Sequence, residues 1–444
     1  MKPSIIRQIL SPDGQATVEI VSSMDKLLVN RIAIRNKVIN SVDKYEFVDK
    51  DYNSTLIELD LDHANIILDR IASGKPYASS YIFYENDSDA DFNLDKSDME
   101  HRYTSTGIKF WRHQEAMLNY KNDNPNSIIS THVSPEGACN LKCPYCSVTY
   151  RDTHSRIELE VIQDYIDKLI TRGLKAVILT GGGEPTVYKQ FNELVKWIKR
   201  DKGLSVALIT NGTQSHRVDC WDCFSWVRVS INIFEKWEEK IQLPVNELSQ
   251  DCIVGCSMVY TVEHEKTSEQ TTDRLDIFKK VSNIADKVNS QYIRLLPNCL
   301  LEQKDLLIQH RSLENTLLKL NDKRFFHQHK VHRTPVESVC HQSYFRPYLS
   351  EEPYHKDGRI GAVFPCDSVV LNDAYTFFAK EYQICHASEI LDFLDRKIEL
   401  QFDPRKRCKG CVFTDNVDML GAFKRGEIDK FDQYTQPLKH QEFV

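Results

Sequence analysis

Three thiols are spaced for metal chemistry in Cys139-Asn140-Leu141-Lys142-Cys143-Pro144-Tyr145-Cys146, a CxxxCxxC run. The fourth nearby cysteine that a closed tetrahedral site needs is missing from this loop. Three thiolates can hold three irons of a cubane cluster and leave the fourth iron open to an outside ligand. A zinc knuckle completed by His132 or His154 would use the same thiols. A second set lies far downstream: Cys340, Cys366 and the pair Cys408-Lys409-Gly410-Cys411. A CxxC pair with two remote cysteines outlines a four-thiolate site, for zinc or for an iron–sulfur cluster. Cys220, Cys223, Cys252 and Cys256 could make another metal site, but Trp221, Phe224 and Trp226 mark that segment as one that packs against a sheet. Cys299 reads as a small buried hydrophobe.

The elements that must position these thiols alternate between strand and helix from about residue 126 to 300. Apolar runs predict strands at Ile128–Val133, Ala176–Thr180, Ser205–Thr210, Trp226–Asn232, Ile253–Thr261 and Tyr292–Leu296. Helical spacing predicts helices at Glu158–Arg172, Phe191–Arg200 and Asp273–Val288. Such alternation implies a parallel sheet with helices outside it, and about six units fit a partial (β/α)6 TIM-type barrel better than an eightfold one. Ligands on these sheets gather at the C-terminal ends of the strands. The cysteine loop follows the first strand. The second runs into Thr180-Gly181-Gly182-Gly183-Glu184-Pro185, the third ends in Thr210-Asn211-Gly212-Thr213, and the fourth in Ser230-Ile231-Asn232. Four successive strands therefore deliver polar or glycine-rich ends to one rim.

The combination resembles the radical S-adenosylmethionine (radical SAM) enzymes, and the downstream cysteines resemble the twitch domain, a shortened SPASM domain that holds an auxiliary cluster. The resemblance implies a 4Fe-4S cluster on Cys139, Cys143 and Cys146 whose open iron binds S-adenosylmethionine. It assigns Gly182, Gly183 and Glu184 to the amino group of that cofactor, Ser230 and Asn232 to its ribose and carboxylate, Tyr145 and Leu295 to its adenine, and Asn211 to the lining of the site. A second auxiliary 4Fe-4S cluster would sit on Cys340, Cys366, Cys408 and Cys411, with Cys385 left out. The implied reaction is reductive cleavage of S-adenosylmethionine to a 5′-deoxyadenosyl radical that removes hydrogen from a C–H bond. Electrons would come from an external one-electron reductant of flavodoxin or ferredoxin type. A saturated auxiliary cluster points to oxidation or dehydrogenation of a polar small molecule, of sugar or nucleoside type. Alternatives are a maturase of a ribosomally made peptide and a non-enzymatic zinc-binding interaction protein. Candidate residues facing the substrate are His132, Glu136, Tyr260, Glu263, Arg294 and Asn298, with His132, Tyr260 and Arg294 as catalytic candidates. Arg294 suits an anionic group. The run Arg405-Lys406-Arg407 reads as a solvated loop before it reads as a phosphate contact.

The remaining sequence frames this core. Residues 1–83 read as a small α/β domain, with strands at Ala16–Val21, Leu56–Leu59 and Tyr81–Tyr84 and helices at Met24–Ile39 and Asp62–Ala72. This pattern resembles the leader-peptide recognition modules of peptide-modifying enzymes. Asp49, Asp51, Asn53 and Asp60 mimic a calcium loop, but Ser54 replaces the glycine its turn requires. Residues 84–125 form a linker with seven acidic side chains between Glu85 and Glu100, followed by a short helix over Ile108–Asn119. Residues 126–304 make the barrel, and residues 305–444 the cysteine-rich twitch/SPASM-like domain. A net charge of −7 argues against a broadly basic nucleic-acid surface. No apolar window reaches membrane-span length, and Met1–Gln8 lacks a signal-peptide core. Thirteen cysteines without an export signal predict a reducing, cytoplasmic setting with thiols serving metal.

Overall fold

A computed structural model describes residues 98–444 except 144–145, 150, 232–239, 261–272, parts of 302–319, 331–332, 372–379, 409 and 429–437. Before residue 98 it describes six strand segments. The chain divides into two compact units, one of residues 1–96 with 303–319 and one of residues 97–302 with 320–444.

In the first unit, β1 (Ser4–Leu10), β2 (Ala16–Ser23), β3 (Lys26–Ile34) and β6 (Glu58–Leu59) form an antiparallel sheet in that order. Two short strands, β4 (Phe47–Val48) and β5 (Ser54–Thr55), pair beside it. The helix expected over Met24–Ile39 is corrected to strand β3. Ser23 pairs with Lys26 across a two-residue connection, and the hairpin gives the β-branched Val29, Ile32 and Ile34 a ladder that overrides their helical spacing. The expected helix Asp62–Ala72 and strand Tyr81–Tyr84 lie outside the described residues.

The second unit holds a ten-stranded sheet. Its parallel part runs β7 (Ser130–Val133), β8 (Ala176–Leu179), β9 (Ser205–Thr210), β10 (Phe224–Ser230), β11 (Ile253–Tyr260) and β12 (Tyr292–Pro297), each beside the next. These are the six expected barrel strands, shifted by a residue or two at their ends. Every residue of β8, Ala-Val-Ile-Leu, is buried, as a strand covered on both faces requires. Between strands lie α4 (Leu159–Ile170), α5 (Phe191–Lys196, with a wider turn to Asp201) and α6 (Asp273–Lys287). In α4, Leu159, Ile162, Tyr165, Ile166 and Leu169 recur at helical spacing and are all buried, each contributing roughly 1.5–3 kcal/mol.

The strand alternation read from the sequence ends near residue 300, yet the sheet continues. Strand β13 (Phe325–His327) joins β12 in parallel. At the opposite edge β14 (Tyr348–Pro353) lies parallel to β7, with Tyr348 beside His132, and β15 (Ile360–Phe364) and β16 (Cys385–His386) follow antiparallel. The fold is an open, partial barrel whose first strand is flanked by the C-terminal segment. Before it lie α1 (Asp98–Tyr103), α2 (Gly107–Trp111) and α3 (Gln114–Lys121); after it come α7 (Ile390–Leu394), α8 (Pro404–Arg407) and α9 (Thr414–Arg425). The single lead-in helix expected at Ile108–Asn119 is thus two, α2 and α3. Helix α9 ends at Gly426, whose φ of 80° lets the Gly426 and Glu427 amides turn back onto Phe423 and Ala422.

Candidate functional site

The rim is assembled from backbone first. After β7, residues 134–138 lead into the cysteine loop, and the turn after β8 is bonded to them. Gly182 N donates to Ser134 Oγ at 2.7 Å, Gly183 N to the Glu136 carbonyl at 3.0 Å, and Glu184 N to the Ala138 carbonyl at 2.9 Å. A Cβ on Gly183 would overlap the carbonyl oxygens of Ala138 and Glu136, and one on Gly182 would overlap the Glu351 carboxylate. The close approach these glycines permit is therefore to the protein's own cysteine-loop entrance and to β14.

Glu184 is 3% exposed and its carboxylate is fully engaged. Oε1 accepts from Thr186 N, Thr186 Oγ1 and Thr210 Oγ1, and Oε2 accepts from Asn211 N at 2.8 Å. Burial pushes this carboxyl up, and those four hydrogen bonds oppose the shift. Glu184 thereby ties the end of β8 to the end of β9. Asn211 in turn donates from Nδ2 to Asn140 Oδ1 at 3.0 Å, and Asn140 Nδ2 donates to Thr213 Oγ1 at 2.7 Å. The cysteine loop is hung from the end of the third barrel strand through a residue between its first two thiols. Ser230 ends β10 in register with Ser257.

Cys139, Cys143 and Cys146 are all half-buried, and none is in a disulfide. Leu141 N donates to Cys139 Sγ, and Arg151 Nη1 to Cys146 Sγ, each at 3.5 Å. Burial raises the Cys139 thiol, Glu184 and Cys143 add to the rise, and the Leu141 amide and Arg151 oppose it. Arg151 is anchored by the Gly137 and Val148 carbonyls. This donor set fits an anionic cluster: thiols that deprotonate on binding, with a guanidinium fixed beside one of them.

Cys340, Cys366, Cys408 and Cys411 line one cavity, walled otherwise by apolar groups such as Pro335, Pro365, Val369 and Phe413. Burial raises the Cys366 thiol strongly, and Cys340, Asp367, Cys411 and Cys408 each raise it further, so negative charge on these four sulfurs calls for a cationic partner. Gln342 is fully buried on the same wall, its Oε1 held by Asn416 and its Nε2 without a partner. An unpaired buried N–H among four thiols fits a group with sulfur acceptors. Cys146, Cys366 and Cys408 pack against one core that includes Val148, Cys340 and Tyr348, so the two thiol sets share a core.

The barrel interior holds a third feature. His132, 5% exposed, receives a hydrogen bond from Arg346 Nη2 to Nδ1 at 2.8 Å, and the same Nη2 donates to Asp367 at 3.2 Å. Burial and Arg346 bring the His132 pKa down to about 3 despite Asp367, which leaves the ring neutral. Burial works to raise the Asp367 carboxyl, but it is held at about 2; with His132 neutral, Arg346 and Lys330 supply the compensating charge. Arg294 lines the same cavity from β12 with Gln328 as its partner.

The other expected residues are dispersed. Leu295 alternates with the cavity-lining Tyr292 and Arg294 and so faces the opposite side of the sheet, toward the helix layer. Tyr145, Asn232 and Glu263 lie outside the described residues, as does the Tyr260 side chain. Glu136 accepts from the Ala138 amide, and Asn298 Oδ1 from Leu300 N. Cys220, Cys223, Cys252 and Cys256 are all buried; burial and then Cys223 raise the Cys220 thiol, whereas no other cysteine acts on Cys252 or Cys256. Cys385 sits on β16 near Glu389, away from the four-cysteine cavity. Cys299, expected to be a small buried hydrophobe, is only half-buried because it follows the end of β12, where the chain leaves the sheet. Arg405 and Arg407 pair with Asp403 and Glu381 at the surface. Sequence reasoning missed Arg346, Asp367, Lys330, Ser134 and Glu351. The first four carry no local motif, and Glu351 sits between Ser350 and Glu352 on β14, a polar stretch whose burial depends on the pairing of that strand with β7.

The open barrel carries three thiols after its first strand and a glycine-rich turn after its second, the arrangement that the resemblance to the radical SAM enzymes implies. Residues 133–232 match the Radical SAM superfamily, the stretch that carries the cysteine loop, the Gly181–Glu184 turn and Ser230. Among curated relatives, an S-adenosylmethionine-dependent nucleotide dehydratase of Selenomonas ruminantium is 33% identical over 85 residues, 19% of this chain and 30% of that protein. GTP 3′,8-cyclase of Actinobacillus pleuropneumoniae serotype 5b (strain L20) is 24% identical over 245 residues, 52% of this chain and 71% of the cyclase. The chain thus spans under a third of the first relative's length. Among solved structures, Streptococcus suis SuiB bound to its precursor peptide SuiA aligns with a TM-score of 0.43 at 14% identity, over 68% of this chain and 76% of SuiB.

Proposed function

We propose that this chain is a radical SAM enzyme that oxidises a polar small molecule held in its barrel. Cys139, Cys143 and Cys146 would hold the cofactor-binding 4Fe-4S cluster, and Cys340, Cys366, Cys408 and Cys411 an auxiliary 4Fe-4S cluster that accepts an electron. When bound, the first cluster and S-adenosylmethionine supply a one-electron cleavage that yields a hydrogen-abstracting carbon radical. The protein's own groups do the rest. Gly182, Gly183, Asn211 and Ser230 shape the cofactor rim, with Glu184 holding the ends of β8 and β9 together beneath it. Arg151 offsets the charge of the thiolates. A flavodoxin- or ferredoxin-type reductant would deliver the electron.

One observation carries the oxidative reading. Phe413 lines both the four-cysteine cavity and the barrel cavity, and the adjacent residues Cys366 and Asp367 face one cavity each. A substrate in the barrel would be separated from the second thiol set by a single side-chain layer, a short path for an outgoing electron. The names of the two relatives, a nucleotide dehydratase and a GTP cyclase, support a nucleoside-type small molecule as substrate. Thirteen cysteines outside any disulfide suit a reducing compartment, and no helix among the described residues is long and apolar enough to cross a membrane.

The test is anaerobic reconstitution followed by reduction in the presence of S-adenosylmethionine. About eight irons per chain and release of 5′-deoxyadenosine are expected. A protein with zinc and no iron, or with an intact first cluster and no 5′-deoxyadenosine, would sink the reading.

A further inference from the structure

The barrel cavity carries far more positive charge than the chain's net of −7 foretells. Among the described residues, seven lysine and arginine side chains line it against one carboxylate, Asp367. Most are committed to fixed positions. Arg228 donates to Tyr292 Oη and the Tyr103 carbonyl and lies 4.9 Å over the Trp226 ring, and Lys109 donates to the Phe443 carbonyl. Two arginines present unused donors. Arg346 is 1% exposed; its Nη2 serves His132 and Asp367, but Nε and Nη1 are buried without partners. Arg294 uses Nη1 on Gln328, and its Nε is likewise buried and unpaired. Phe413 backs the Arg346 guanidinium at 4.8 Å and fixes its plane.

Buried guanidinium N–H groups without acceptors are costly, the more so for a charged group, unless something that belongs in the cavity accepts from them. The burial and crowding of the cations act in the same direction. Burial, reinforced by Arg228, brings Lys109 down to about 7 and Arg294 to about 9. A neutral substrate would leave this imbalance standing, and a single carboxylate would answer one cation. A phosphoryl group brings two charges and three acceptor oxygens, which suit two guanidinium groups and an ammonium that line one cavity.

We infer that the barrel cavity is a phosphate site: a phosphate-bearing small molecule binds there, with its phosphoryl oxygens on Arg346 and Arg294 and its charge balanced by Lys330. The inference names a substrate class for the cavity in which the proposed reaction takes place, and to that extent it rests on the reading above. Asp367 fixes the Arg346 guanidinium by holding Nη2, which leaves Nε and Nη1 as the donors for the ligand.

The experiment is calorimetric titration of the anaerobically reconstituted full chain with inorganic pyrophosphate, inorganic phosphate and citrate, at low and high salt. Pyrophosphate is expected to bind at least tenfold more tightly than citrate and to weaken with salt. Arg294→Met and Lys330→Gln should each weaken pyrophosphate roughly tenfold or more, and Arg346→Lys should lose affinity while keeping its charge. If Arg346→Lys does not fold, the other two variants and quenching of Trp226 fluorescence in the wild type carry the test. Undetectable pyrophosphate binding, citrate binding as tight, or variants with unchanged affinity would each overturn the site. Pyrophosphate binding without 5′-deoxyadenosine formation supports the site and removes the radical reading. Formation of 5′-deoxyadenosine without pyrophosphate binding does the reverse.

Discussion

Glu184 Oε2 accepts the backbone N–H of Asn211 at 2.8 Å, and through that bond the turn after the second barrel strand is locked to the end of the third. The cysteine loop hangs from the same junction, because Asn211 also holds Asn140. A carboxylate with acceptors only is the right group at a point where four donors converge. In Glu184→Gln an amide N–H₂ must face one of those donors. The variant should lose about 1–3 kcal/mol of stability in urea denaturation and bind S-adenosylmethionine more weakly. Unchanged stability together with unchanged cofactor affinity would remove Glu184 from this role.

Gly183 tests the docking of the two loops. A methyl group there would overlap the Ala138 carbonyl oxygen, which belongs to the residue preceding Cys139. Gly183→Ala should displace the cysteine loop and cut the iron retained after reconstitution by about half, the share of the first of two clusters. Wild-type iron content and a wild-type absorption spectrum in this variant would show that the loops part without cost to the cluster.

The two thiol sets should be separable by iron analysis. Cys366→Ala is expected to lower iron from about eight to about four per chain and still permit 5′-deoxyadenosine formation, while product oxidation fails. Cys220→Ala, Cys252→Ala and Cys385→Ala should leave iron content as it was, since those thiols are buried apart from both sets. Iron loss in any of the three would revive a further cluster.

His132 gives a pH signature. Its folded pKa of about 3 lies below its unfolded value of 6.5, so between those limits the unfolded chain binds a proton that the folded chain refuses. Its contribution is complete above pH 6.5 and is lost as pH falls toward 3. Buried carboxyls that shift the other way, Glu352 (held up at about 8 by burial and Glu351) foremost, require a comparison rather than a single curve. The stability gap between wild type and His132→Gln should shrink by about 2 kcal/mol from pH 7.5 to pH 5, read from urea midpoints. A gap that stays constant or widens would mean that the ring is charged in the fold.

The sequence alone determined the catalytic vocabulary and its order. Thiol spacing, the glycine-rich turn and the six alternating strands are local patterns, and a parallel sheet forces the ends of successive strands to one rim, so chemistry and rim could be read together. The hairpin over Lys26–Ile34 was not legible as such, because a run with Leu27, Leu28, Ile32 and Ile34 satisfies helical spacing until a partner strand claims its backbone. Only the tertiary structure decided what fills the barrel. Arg346 and Asp367 lie more than 200 residues from His132, and they reach it because β14 pairs with β7. No local pattern records that pairing, since its energy comes from backbone bonds across the sheet edge and from burial on both faces. The same pairing gave Gly182 its reason to be glycine. In sequence it reads as room for a ligand, and in the fold that room faces Glu351.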